Sequence, residues 1–182
     1  VLTVRGDLVA LFQAGAFDVI VHGQNCHCNM DDGIARAISQ AFPEALQADM
    51  QTPIHDPGKL GTYSKAVVTQ GVIINGYTQF NWSGVGPGGG PLTQYEAVRA
   101  VFAGLRAEFG GQGLCFGVPA IGAARGGGDW SIISAIIDEE LAGEHVTFVE
   151  YDQYDGPSGD YRRNMAMNSR KAMWGKQISM RR

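Results

Sequence analysis

The sequence has no apolar run approaching the ~20 residues that a membrane-spanning helix requires. Its first residues, Val1-Leu2-Thr3-Val4-Arg5, read as a β-strand and not as a secretory signal. Cysteine is scarce, at 3 residues, and two of them, Cys26 and Cys28, stand only two apart. That excludes a disulfide framework and implies a reducing, cytoplasmic setting. Charge is thin, at 18% of residues. The phosphate-binding pattern G-x-x-x-x-G-K-[ST] is missing, and no G-x-G-x-x-G sits directly at a strand-to-helix turn. No internal repeat and no Gly-X-Y period is visible.

Glycine is what the chain has in excess: 26 of 182 residues, or 14%, about twice the usual ~7%. The glycines cluster, as loops do when the backbone must turn sharply or approach a ligand closely. With 45% hydrophobic residues the chain can bury a core, and its length suits one domain with an appendage. The net charge of −4 is an average of two unlike parts. Residues 1–152 carry 7 Lys/Arg against 16 Asp/Glu, a net of −9, and residues 153–182 carry 7 against 2, a net of +5. An acidic body argues against a nucleic-acid-coated surface. The basic tail is expected to be mobile, with electrostatic attraction to a polyanion and docking on the body or on a partner subunit as the alternatives.

Short β-rich runs alternate with helical patterns. Leu2–Arg5, Val19–Gly23, Lys65–Val68, Val72–Thr78, Leu114–Pro119 and Val146–Tyr151 are expected strands. Helices are expected over Gly33–Phe42, where Pro43 ends the first, and from Thr93 and Trp130. Thr93 and Glu96 have capping-box spacing, and Val98, Val101, Phe102, Leu105 and Phe109 share one helical face. Ile133, Ile136, Ile137 and Leu141 repeat that pattern after Trp130. Ser83–Pro91 shows no periodicity, and its glycines suggest a lid or a linker. The alternation implies a three-layer α/β/α sandwich with a mixed, mostly parallel central sheet.

In such sheets ligands bind at the carboxyl ends of strands. Val19–Gly23 opens into Gln24 to Ala35, and Leu114–Pro119 opens into Ala120 to Asp129. Each loop runs into a helix N-terminus, where free N–H groups and the dipole favour an anion. Two such loops side by side would hold a diphosphate. On the residues alone, the ligand is small, anionic and nucleotide-like. His22, Cys26, His27 and Cys28 invite a zinc reading, but Cys-x-Cys on one short loop lacks a second ligand pair at zinc-site spacing. The expectation is no metal and no cofactor, with the cysteines packed as small hydrophobes.

The ordered set Arg5-Gly6-Asp7-Leu8, His22-Gly23-Gln24-Asn25-Cys26, Gly33-Ile34-Ala35, Pro119-Ala120-Ile121-Gly122 and Val149-Glu150-Tyr151 resembles a macro domain, the ADP-ribose-binding module, over residues 2–152. It is most similar to the branch of ADP-ribose-1″-phosphate phosphatases and de-ADP-ribosylating hydrolases. The resemblance implies that Asp7, with Leu8, receives the adenine amino group, and that Asn25 holds the distal ribose. It gives Gly33, Ile34 and Ala35 the first phosphate loop, and Ile121, Gly122, Ala123, Arg125, Gly126 and Gly127 the second. Tyr151 would pack near adenine. Asp129 would activate or position water, and His22 is a candidate acid or base.

Each role has a plainer rival. Asp7 and Asp129 also suit helix caps, Asn25 an Asx turn, Gly126–Gly128 a helix-entry turn, Tyr151 a sheet edge, and His22 a buried histidine satisfied by backbone. Gln79 stands where a lysine-adduct branch carries lysine, and an amide cannot form a Schiff base, so direct water attack is expected. The implied activity is hydrolysis of ADP-ribose 1″-phosphate or an ADP-ribosyl ester to ADP-ribose, with a non-catalytic ADP-ribose-binding module as the alternative. The implied partners are ADP-ribose, ADP-ribose 1″-phosphate and ADP-ribosylated protein, with no membrane, and nucleic acid only through the tail.

Overall fold

Buried β-branched runs and amphipathic helices assemble into one six-stranded sheet with helices on both faces. The structure, a computed structural model, describes residues 1–151. The basic tail expected over 153–182 lies outside the described residues.

In chain order the elements are β1 (Leu2–Gly6), α1 (Leu8–Gln13), β2 (Val19–Asn25), α2 (Gly33–Ala41), α3 (Pro43–Met50), β3 (Tyr63–Val68), β4 (Gly71–Gln79), α4 (Tyr95–Phe109), β5 (Cys115–Val118), α5 (Trp130–Glu140) and β6 (His145–Tyr151). The sheet order is β1-β6-β5-β2-β4-β3, with β3–β4 the antiparallel pair and the other neighbours parallel. The expected mixed, mostly parallel α/β/α sandwich is the observed one.

Strand alternation divides the core. Val19, Val21, Ile74, Phe116 and Val118 meet the apolar faces of α4 and α5, through Val98, Val101, Phe102, Leu105, Ile133 and Ile137. Ile20, Ile73 and Val149 face the other way, onto Leu8, Phe12, Ile38, Phe42 and Ala45 of the α1–α3 layer. Among the described residues no helix is long and apolar enough to cross a membrane.

Three local expectations change. Leu8–Gln13 forms a helix too short for its periodicity to stand out, capped by Asp7. Pro43 ends α2 and also starts α3 at its first turn, where its missing N–H costs nothing. The Thr93–Glu96 capping box does not form: Gln94 is the N-cap of α4 and makes no side-chain cap bond. The Thr93 hydroxyl instead donates to the Gly122 carbonyl at 3.0 Å.

Candidate functional site

The ends of β2 and β5 place two loops side by side. Gly23–Asn25, Asn29 and Asp32–Ala35 come from the first, and Pro119–Gly122 with Ala124–Gly126 from the second. Together with Gln79 at the end of β4 and Trp82 and Ser83 beyond it, they line an open cavity of about 270 Å³.

The first loop is organised by Asn25. Its Oδ1 accepts from the N–H groups of His27 (2.9 Å) and Asn29 (3.3 Å), and its Nδ2 donates to the Asn29 carbonyl at 2.7 Å and to Gln24 Oε1 at 3.3 Å. Gln24 is held in turn by Asp49, whose Oδ2 accepts from Gln24 Nε2 at 2.5 Å and whose Oδ1 accepts from the Tyr77 hydroxyl at 2.7 Å. Lys59, equally buried, completes this cluster. Its Nζ lies 3.9 Å from Asp49 Oδ1, 4.2 Å from the Tyr77 ring centroid and 3.3 Å from Cys28 Sγ. Cys26 and Cys28 pack beneath the loop, and burial pushes the Cys26 thiol up to about 11. The loop ends at Asp32, which caps α2 by accepting from Gly33 N–H at 2.7 Å, and Gly33 has φ +54°.

The second loop is organised by Thr93. Besides the hydroxyl bond to Gly122, the Thr93 N–H donates to the Gly126 carbonyl at 3.2 Å. A Cβ on Gly122 would lie 2.4 Å from Thr93 Oγ1, and one on Gly126 would lie 2.0 Å from it. These glycines are therefore required first by the packing of Thr93. Gly122 also has φ +66°, which disfavours a side chain on its own account. Arg125 of the second loop pairs with Asp32 of the first, so an exposed ion pair bridges the two lips of the cavity.

No protein-family model matches the sequence. Over 157 residues the chain is 36% identical to an uncharacterised 17.5 kDa protein of phage T4 from the tk-vs intergenic region, covering 82% of this chain and 95% of that one. Among solved structures it superposes on the macrodomain of Thermus aquaticus DarG with a TM-score of 0.62 at 22% identity, covering 83% of this chain and 97% of that one. It also superposes on Thermosipho africanus DarTG in complex with ADP-ribose, with a TM-score of 0.63 at 14% identity, covering 95% of this chain and 46% of that one. The chain belongs to the family of the phage protein and has the macrodomain fold.

The expected site residues fall into two groups. Asn25, Gly33, Ile34, Ala35, Ile121, Gly122, Arg125 and Gly126 line the one cavity. The others do not line it. Asp7 caps α1, its Oδ1 accepting from Val9 N–H (2.8 Å) and Ala10 N–H (3.1 Å), and Leu8 is buried in the core of the α1–α3 layer. Tyr151, 66% exposed, pairs in register with Gly6, the residue before Asp7, at the β1–β6 edge of the same sheet end. Ala123 packs against the α4–α5 core, and Gly127, with φ +66°, lies beside Pro91.

The two expected proton carriers stand apart from the cavity. His22 shares its strand face with Ile20 and points into the α1–α3 layer. It is fully buried, with Nε2 2.7 Å from Asn75 Oδ1 and Nδ1 3.1 Å from the Gly23 carbonyl oxygen. Burial holds its pKa below the usual 6.5, so it is neutral at pH 7. Asp129 caps α5 and is exposed, its Oδ1 accepting from Ser131 N–H (2.8 Å) and Ser131 Oγ–H (2.6 Å). The Ser131 side chain and then its backbone N–H keep that carboxyl below its ordinary value, which makes it a weak base.

Sequence reasoning missed Gln24, Asn29, Asp32, Trp82 and Ser83 as lining residues; Gln79, singled out as the residue in place of a lysine, also lines the cavity. Asp32 carried a usable signal, an acidic residue directly before the expected helix start at Gly33. Trp82 and Ser83 carried none, because only the parallel pairing of β4 beside β2 brings their loop to the cavity.

Proposed function

We propose that this macrodomain binds ADP-ribose and hydrolyses ADP-ribose 1″-phosphate or an ADP-ribosyl ester, releasing ADP-ribose. One observation carries the reading: the loops after β2 and β5 converge on a single cavity at the N-terminus of α2. The fold shared with a DarTG structure in complex with ADP-ribose supports it. Backbone N–H groups of both loops and the α2 dipole receive the diphosphate, so an acidic body is no obstacle. Adenine lies toward Asp7 and Tyr151, and the distal ribose toward Asn25.

Of the lining residues only Asp32 carries a carboxylate, and only Arg125 a permanent positive charge. A bound diphosphate competes with Asp32 for Arg125, which frees the carboxylate to orient water at the distal end. Gln79, at the cavity wall, offers no amine, so water attacks directly. Much of the acceleration then comes from positioning and from loop N–H groups facing the developing charge.

The internal engagement of Asp129 and the burial of His22 favour a second reading, a module that binds ADP-ribose without turnover. Calorimetry with ADP-ribose, followed by phosphate release from its 1″-phosphate and hydrolysis of an ADP-ribosyl ester, separates the readings. Binding with turnover on either substrate supports the enzyme, and binding without turnover supports the module. No binding removes both. Asp129→Ala and Asp32→Asn then assign the carboxylate: the variant that loses turnover while retaining affinity identifies the group that handles water.

A further inference from the structure

Behind the cavity wall lies one polar atom with nothing to bond. Thr78 Oγ1 is the only buried side-chain nitrogen or oxygen among the described residues without a hydrogen-bond partner. An orphaned buried hydroxyl is costly, and buried polar groups are satisfied in the great majority of cases.

Its place in the sheet is unusual too. Gln24 pairs with Tyr77 and Asn25 with Gln79, so Thr78 is the extra residue of a β-bulge in β4. A bulge re-aims side chains locally. Here the Thr78 carbonyl still accepts from Gln94 N–H at 2.9 Å, which ties the bulge to the start of α4. The hydroxyl lies beside Gly23. A Cβ on Gly23 would lie 2.9 Å from Thr78 Oγ1, 3.1 Å from Ile121 Cγ2 and 3.8 Å from Gly122 N. Gly23, Ile121 and Gly122 all line the cavity. The bulge, the unpartnered hydroxyl and the missing side chain at 23 thus coincide at one point of the cavity floor.

We infer that Thr78 is a specificity-determining residue. Its hydroxyl and the Gly122 N–H form a niche for one anionic oxygen of the ligand's diphosphate, kept open by the absence of a side chain at Gly23. The inference rests on the ADP-ribose reading above. The N–H can only donate and the hydroxyl can donate too, so one acceptor atom such as a phosphate oxygen satisfies both. Thr78 is fully buried, and Ile121 Cγ2 stands 3.1 Å from the point that a Gly23 Cβ would occupy. The oxygen enters as Ile121 changes rotamer, and the orphaned hydroxyl gains its partner at that moment. Thr78 therefore destabilises the free protein and stabilises the complex.

Thr78→Val keeps the shape and removes the hydroxyl, and Thr78→Ser keeps the hydroxyl. Both are compared with wild type by thermal unfolding without ligand and by calorimetry with ADP-ribose. The expected result for Thr78→Val is a Tm raised by about 2–6 °C together with affinity for ADP-ribose weakened about tenfold or more. Thr78→Ser retains wild-type affinity. Equal affinity of Thr78→Val and wild type overturns the inference, as does equal weakening in both variants. A lowered Tm in Thr78→Val also overturns it, because the hydroxyl would then have a partner in the free protein. Failure of wild type itself to bind ADP-ribose sinks the functional reading on which the inference depends, and is a different outcome from these.

Discussion

The packing of Thr93 against the second loop makes a quantitative forecast. An alanine at Gly122 would bring its Cβ to 2.4 Å from Thr93 Oγ1, 2.6 Å from Cγ2 and 3.0 Å from Cβ, all atoms of one side chain. Overpacking of that kind costs about 1–3 kcal/mol, and the left-handed φ of +66° adds about 1 kcal/mol for a residue with a Cβ. Gly122→Ala should therefore destabilise the domain by about 2–4 kcal/mol. Thr93→Ala loses one hydrogen bond to the Gly122 carbonyl and one buried methyl, together about 2 kcal/mol. If the two changes were independent, their costs would add. They should not. Thr93→Ala removes the two atoms that clash hardest, Oγ1 and Cγ2, so in its background Gly122→Ala retains its backbone cost and only a tight 3.0 Å contact with the remaining Cβ. The double variant then falls short of the sum by about 1–3 kcal/mol. Urea unfolding of the four proteins, with m-values checked for constancy, measures that difference. Additivity within ~0.5 kcal/mol would refute the claim that Thr93 is what requires glycine at 122.

Further expectations concern the buried polar groups and the cavity lips. His22 is neutral in the folded protein because burial lowers its pKa, so the unfolded chain takes up its proton first as pH falls through 6.5. Wild-type Tm should therefore be flat in this respect above 6.5 and decline from there toward the lowered folded value, while His22→Asn loses that dependence in a Tm–pH series. Lys59→Met leaves the buried Asp49 without its cation and should cost about 3–5 kcal/mol in urea unfolding; a near-zero effect would mean that Tyr77 and Gln24 alone satisfy the carboxylate. Arg125→Ala removes an exposed ion pair and should shift stability by less than about 1 kcal/mol, yet it should weaken ADP-ribose binding several-fold by calorimetry. Unchanged affinity would place Arg125 outside the ligand's reach.

Much of the fold was legible in the sequence because the strands that make it are buried on both faces. Val19–Val21 and Phe116–Val118 admit few alternatives to a central parallel sheet, and the i, i+3, i+4 spacing in α4 and α5 marks their buried sides. The short helices escaped because six or eight residues are too few for a period to emerge above composition. The cavity was half legible. Loops at strand ends that run into helix N-termini announce an anion site from local chemistry alone, and the residues at 25, 33–35, 121 and 122 do meet there. Trp82, Ser83 and Gln79 join them through strand order, which no local pattern encodes.

The same division applies to individual residues. The amino-acid sequence alone shows that glycine clusters at 84–90 and 122–128, that an Asp precedes each of α1, α2 and α5, and that the body is acidic. It could not decide what those residues do. Asp7, Asp32 and Asp129 all cap helices, yet only Asp32 also lines the cavity. Gly122 and Gly126 line it too, but a threonine 29 residues from Gly122 in sequence dictates their lack of side chains. His22 sits one residue from a cavity-lining glycine and still faces the opposite layer. In each case the residue type fixes which bonds a group can make. Which partner stands within 3 Å is settled only when distant segments pack, because strand pairing and side-chain alternation are long-range facts.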